Sequence, residues 1–247
     1  MKKILIMIMV LTVMLFSKEV KVVFSYSTPP YVFKDGSGIV LTIVKEALAY
    51  KGHTIEPIFV NMGRASELFR DGYVDATSIT QTISGLDAFY SEDFMQYHNA
   101  AFALKKKHIK IEKLENLKDF HIIAFQNAYL YLGEKFGEVA KLADKKYMEI
   151  ADQKQQVSML LNGRTEVAIM DRHIFTFYKN LLIQEKKVDE NIDIELIELF
   201  PPTPYKTAFK DEKLRDDFNE GMKYLKKTGR YNEIYDEYSK KYFEVKK

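Results

Sequence analysis

The sequence predicts an α/β protein of two related lobes, each a mainly parallel β-sheet flanked by helices. Three observations lead there. The chain carries one pattern twice, as LFRDGYVDAT from Leu68 to Thr77 and as LLNGRTEVAI from Leu160 to Ile169. In each copy an apolar-faced helix meets a glycine stop, an acidic residue follows three positions later, and a short apolar run suited to a buried strand comes next. Around each copy, strand and helix patterns alternate as β-α-β-α-β, an order that implies parallel pairing with right-handed crossovers. Two copies about 90 residues apart in a chain of 247 leave roughly 100 residues per lobe, an ordinary domain size. A cleft between two such lobes is a common seat for a small ligand.

The elements follow in order. Val20 to Ser27 is a β-branched and aromatic run that Thr28-Pro29-Pro30 stops, and Asp35 to Gly38 forms a turn. Val40, Ile43, Val44, Ala47 and Leu48 recur at helical spacing until Gly52. Ile55 to Val60 predicts a strand, Arg64 to Phe69 a short helix and Val74 to Ile79 a third strand. Ala100 to Leu104 reads as a strand leaving the first lobe. The second lobe opens with a strand over His121 to Phe125 and one helix carrying Leu132, Phe136, Val139 and Leu142. Next come a strand over Tyr147 to Ile150, a helix over Gln153 to Leu161 and a strand over Val167 to Met170. A helix near Ile174 to Leu182 and a strand near Ile194 to Leu199 complete it, and Pro201, Pro202 and Pro204 stiffen a return crossing. Leu214, Phe218, Met222 and Leu225 mark a long helix that Gly229 ends, before a last helix holding Ile234 and Tyr238.

The first residues are of another kind. Lys2 and Lys3 precede an apolar stretch of 13 residues, Ile4 to Phe16, after which Ser17, Lys18 and Glu19 restore polarity. So short a stretch suits a secretory signal better than a membrane span, which needs about 20 residues. Cleavage is expected near Ser17, with an uncleaved anchor as the alternative. The full chain has 37 basic and 35 acidic residues, and losing Lys2 and Lys3 leaves 35 against 35. A balanced protein has no field to draw nucleic acid, so no nucleic-acid partner is expected. With no cysteine, a lipid-modified N-terminal cysteine is excluded, and the expected location is free in the periplasm.

The segments TPPYVFKDGSGIVLTIVKEAL, RASELFRDGYVDA, FYSEDF, ENLKDFHIIAFQNA, MLLNGRTEVAIMD and GRYNEIYDEY, in this order and spacing, resemble the periplasmic binding proteins of type II fold. Within these, the chain is similar to the extracellular solute-binding protein family 3, whose members include amino-acid-binding proteins. The resemblance runs from about Val20 to Tyr242. It implies two lobes joined by two hinge crossings, near Leu104 to Lys106 and Tyr205 to Phe209. The boundaries expected are 1–17 for the signal, 18–104 for the first part of lobe 1, 105–205 for lobe 2 and 206–247 for the completion of lobe 1.

The resemblance also implies ligand positions. Thr80 and Thr82 fall where the family uses hydroxyls to hold an α-carboxylate, and Asp171 where an aspartate holds the α-amino group. The family's carboxylate-binding arginine is missing, since TQTISGLDAFY between Thr80 and Tyr90 holds no basic residue. Arg64, near a helix start, is the candidate replacement; the alternative is a surface pair with Glu67 or Asp71. The alternative for Asp171 is a cap on the helix beginning at Arg172, and its removal is expected to weaken binding while leaving the empty protein's stability nearly unchanged. Gln126, Asn127 and Tyr129 follow the first strand of the second lobe, where amides at a helix start suit an anion, with Asn127 alternatively an N-cap. Of the aromatics Tyr26, Tyr31, Phe33, Tyr90 and Tyr97, most belong in a core; Tyr31 and Phe33, in a loop, are the candidates to stack on a ligand.

Catalysis finds little support. Thiol nucleophiles are excluded, and His53, His98, His108, His121 and His173 show no HxxH or HExxH spacing. No cofactor or metal is expected. The leading expectation is reversible capture of a small polar solute, amino-acid-like or a small organic acid or amine, by a monomer that hands it to an inner-membrane ABC permease. The alternative is a protein that presents its ligand to a separate sensor kinase or chemoreceptor. A dehydratase-like enzyme of the same fold ranks third.

Overall fold

The computed structural model describes residues 17–25, 28–33 and 35–242. Residues 1–16 of the expected signal segment and Tyr26 lie outside these residues. Eleven strands and eight helices follow one another among them. The first part of the chain gives β1 (Glu19–Ser25), α1 (Ile39–Ala49), β2 (Thr54–Val60), α2 (Met62–Arg70), β3 (Ala76–Thr80), β4 (Phe89–Tyr90) and β5 (Met95–Tyr97). The middle gives β6 (Asn99–Leu104), β7 (Ile122–Phe125), α3 (Ala128–Tyr131), α4 (Glu134–Ala143), β8 (Tyr147–Ile150), α5 (Gln153–Leu161), β9 (Val167–Asp171), α6 (Arg172–Gln184) and β10 (Ile194–Ile197). The chain returns through β11 (Thr203–Phe209) and ends in α7 (Glu212–Thr228) and α8 (Arg230–Tyr242).

Two sheets result, built to one plan. In the first the order is β2-β1-β3-β11-β4, with β5 also paired to β11; in the second it is β10-β6-β9-β7-β8. β1 runs parallel to β2 and β3, just as β7 runs parallel to β8 and β9, and an antiparallel strand follows on the outer side of β3 and of β9. The repeated acidic residue has one job in both lobes. Asp75 accepts the amide of Lys21 at 2.8 Å while its own amide bonds back to the Lys21 carbonyl; Glu166 and His121 form the same reciprocal pair, also with a 2.8 Å side-chain bond. Each pair fastens the start of the lobe's first parallel strand, β1 or β7, to the start of β3 or β9.

The exchange between sheets is sharper than the sequence suggests. β5 belongs to the first sheet and β6, ending at Leu104, to the second, so the chain changes sheet at His98 and not near Leu104 to Lys106. On the return, the first half of β11 pairs with β5, matching Thr203 to Tyr97 and Tyr205 to Met95, before the second half joins β3 and β4. The two crossings are therefore hydrogen-bonded to each other as a short antiparallel ribbon. Asn99 Nδ2 donates to Thr203 Oγ1 at 3.1 Å beside it, in a buried position.

One further expectation fails. The helix predicted through Leu132 is broken into α3 and α4, because Gly133 adopts φ of 92°, a left-handed value no helix tolerates, and Leu142 on the second piece is exposed. The core is otherwise as patterned. α1 presents Ile39, Val40, Ile43, Val44, Ala47 and Leu48 to the first sheet, and α5 and α6 cover the second with Val157, Leu160, Ile174, Phe175 and Leu182. One apolar cluster runs through both lobes by way of Tyr31, Tyr97 and Phe102. Among the described residues no helix is long and apolar enough to cross a membrane.

Candidate functional site

The carboxyl ends of β1, β3, β7 and β9 point toward the ribbon, and between them lies a cavity of about 50 Å³. From the first lobe come Ser25, Thr28, Ser66, Ser78 and Thr80; from the second come Phe125, Tyr131, Gln153, Asp171 and Ile174. The crossings supply Tyr97, Asn99 and Tyr205. Open α/β sheets place ligand crevices at such strand ends, because helix starts and loop amides converge there. Thr80 and Asp171 are counterparts: each stands eight residues after its repeat's glycine, Gly72 or Gly163, at the end of the third strand.

Asp171 is 1% exposed, and its carboxylate is heavily bonded. Oδ1 accepts the amides of His173 at 2.9 Å and Ile174 at 3.2 Å, which makes it the N-cap of α6, and also the Tyr31 hydroxyl at 3.1 Å. Oδ2 accepts one bond, the 2.8 Å amide of His98 at the crossing. Tyr31 Oη also lies 3.1 Å from His173 Nδ1, so a single proton chain is satisfied if His173 Nδ1–H donates to Tyr31 and Tyr31 O–H donates to Asp171. Burial raises the pKa of Asp171 against these four bonds, which favour the ionised form. Asp171 thus caps a helix and borders the cavity.

The other expected residues scatter. Tyr31 is fully buried, packs on the Tyr97 ring at 4.5 Å between centroids and reaches the second lobe through Asp171, without lining the cavity. Phe33 joins an aromatic cluster with Phe177, Tyr238 and Tyr242 outside it. Arg64 pairs with Glu67 on the surface, the alternative reading, because an arginine near a helix start is repelled by the dipole there and solvates freely. Thr82 is exposed, having left β3 in a turn of 3₁₀ helix. Gln126 packs its side-chain amide against Gly63 across the lobes. Asn127 takes a left-handed φ of 65°, makes no side-chain cap, and gives its amide to Glu149 at 2.7 Å. Tyr129 is 51% exposed and its amide goes to the same carboxylate at 3.0 Å. The amides expected to hold a ligand anion already hold Glu149.

What sequence reasoning missed is the tyrosine wall. The Tyr97 and Tyr205 rings pack with centroids 4.8 Å apart and planes tilted by 50°, and Tyr131 stands 6.3 Å from Tyr205. Burial raises the pKa of all three, so the wall is neutral. Two of them sit on the crossings, in segments with no apolar periodicity to mark a facing direction.

No known protein-family model matches the chain, and no curated protein matches it. Solved structures do. An ancestral arginine-binding protein bound to arginine is 19% identical over 91% of this chain and 99% of its own, with a TM-score of 0.73. A histidine kinase sensor domain with similarity to periplasmic binding proteins is 18% identical over 89% of this chain and 95% of its own, at 0.72. The substrate-binding protein of an amino acid ABC transporter is 19% identical over 92% and 99%, at 0.66. The chain has the two-lobed α/β fold of the type II periplasmic binding proteins.

Proposed function

We propose that this chain is a solute-binding protein that captures a small polar molecule between its lobes and delivers it to an inner-membrane ABC transporter from the periplasm. The observation that carries the reading is the cavity's lining, which draws hydroxyls from one lobe, a carboxylate and two aromatics from the other, and tyrosines from both crossings. Only a ligand gripped from both sides favours the closed form, which is the requirement for hinge closure. Most of the solved structures of this fold cited above are binding proteins, in keeping with a non-enzymatic role. Asp171, the carboxylate of the cavity, is engaged by four donors and is poorly placed to act as a general base.

The test is a thermal-shift screen of amino acids, amines, organic acids and sugars on the mature protein, followed by calorimetry on any hit. A ligand of the folded state raises the melting temperature by mass action. Loss of the shift in Thr80→Val and Tyr205→Ala supports the cleft; a hit indifferent to both refutes it. The likeness to a kinase sensor domain favours a second reading, presentation of the ligand to a separate receptor. Neighbouring reading frames discriminate: a permease and ATPase support transport, a sensor kinase supports signalling.

A further inference from the structure

The last helix ties together what a hinge must let part. α8 is fixed to the first lobe along its length: Arg230 at its start holds both carboxylate oxygens of Glu46 on α1, at 3.0 and 2.9 Å, Ile234 is fully buried, and the Tyr238 hydroxyl accepts the Gly38 amide at 2.8 Å. Its final turn then reaches the second lobe. The Tyr242 ring lies 4.9 Å from Phe33 of lobe 1 and 5.5 Å from Phe177 on α6, and Phe33 meets Phe177 edge-on at 5.6 Å. Two ring pairs therefore cross between the lobes, and none of these rings lines the cavity.

Their position gives them leverage. Another interlobe link, Tyr31 to Asp171, sits beside the crossing at His98, close to where the chain pivots. Phe177 stands farther along α6 than Asp171, by roughly 9 Å at the helical rise, so an opening that swings α6 away from Phe33 separates the rings widely. A groove of about 440 Å³ bordered by Asp35 and Asp152 flanks Phe33 and Phe177, so parted rings would meet water, which opposes the motion.

We infer that the end of α8 is a strap: with Phe33 and Phe177 it holds the two lobes together through the protein's own contacts, so that the closed form prevails before any solute arrives and opening requires the Tyr242–Phe177 contact to yield. The inference concerns the lobes alone and goes beyond the solute reading. A solute then needs less differential affinity to complete closure.

The chain has no cysteine, so Ile83→Cys and Tyr129→Cys, both exposed and just past strand ends of opposite lobes, place one spin label on each lobe. The labelled mature protein, refolded from denaturant and dialysed free of any carried solute, is measured by double electron–electron resonance. One short separation should dominate. Phe177→Ala deletes both interlobe ring pairs and should raise the fraction at a longer separation roughly tenfold. Tyr242→Ala deletes one pair at the end of α8 and should open the lobes in the same direction, which keeps the test available should the first variant not fold. Tyr224→Ala removes a ring pair with Tyr50 inside lobe 1 and should leave the separations as they were. Unchanged separations in the strap variants, equal opening in Tyr224→Ala, or a parent protein already mostly open overturns the strap. None of these outcomes touches solute capture, which the thermal-shift screen tests separately.

Discussion

Replacing Asp171 with alanine tests the network at the junction of lobes, crossing and cavity. The substitution removes the N-cap of α6, worth about 1 kcal/mol. It also strips the His98 amide and the Tyr31 hydroxyl of their acceptor in a site 1% exposed, at about 1–3 kcal/mol for each orphaned donor. Relief of a buried charge offsets part of this, leaving a net loss of roughly 3 kcal/mol. For a chain of this size each kcal/mol moves the melting temperature by about 2–4 °C, so the ligand-free variant should melt roughly 6–12 °C lower in calorimetry. The sequence alone led to the opposite expectation, an empty protein of unchanged stability, because it showed a strand-end aspartate and not the three amides and one hydroxyl around it. A drop of less than about 2 °C would refute the energetic assignment.

Three other outcomes are expected. Gly221→Ala should destabilise by about 2–3 kcal/mol, since the new methyl would stand 1.9 Å from the Ala47 carbonyl oxygen where α1 and α7 cross; urea titration measures it, and an unchanged midpoint counts against that packing. Burial, with Arg172 and His98 nearby, holds His173 at about 4, below the ordinary 6.5. The unfolded chain therefore takes up this proton first as pH falls, so the contribution is full above about 6.5 and is lost toward 4, at most about 3 kcal/mol; His173→Gln should flatten that part of the pH–stability curve. Phe33→Ala removes contacts to Phe177 of α6 and to Tyr238 and Tyr242 of α8, and should cost about 2 kcal/mol and enlarge the ligand-free radius of gyration in solution scattering.

The fold was legible where periodicity and glycines agree. The helices from Gln153 and Glu212, the strand over Tyr147 to Ile150 and the stops at Gly52, Gly72 and Gly163 all stand close to where pattern put them. Short β4 and β5 went unseen, since two or three residues carry no period, and with them went the true crossing at His98. Of the expected site residues, Thr80 and Asp171, which the family resemblance implied, line the cavity. Asn127 and Tyr129 misled because the partner of their amides, Glu149, lies on a neighbouring strand that sequence proximity does not reveal. Arg64 followed its local neighbour Glu67, an interaction of i to i+3 spacing that sequence does show.

The exchange of strands also sets an order of assembly. Residues 99–197 form the second sheet from one continuous stretch, whereas β3 of the first sheet has no antiparallel neighbour until Thr203–Phe209 has been made. During vectorial synthesis the inner segment is complete first, and the N-terminal βαβ waits with a bare strand edge that invites mispairing. Whatever shields that edge until the last fifth of the chain emerges governs the yield of correctly joined molecules.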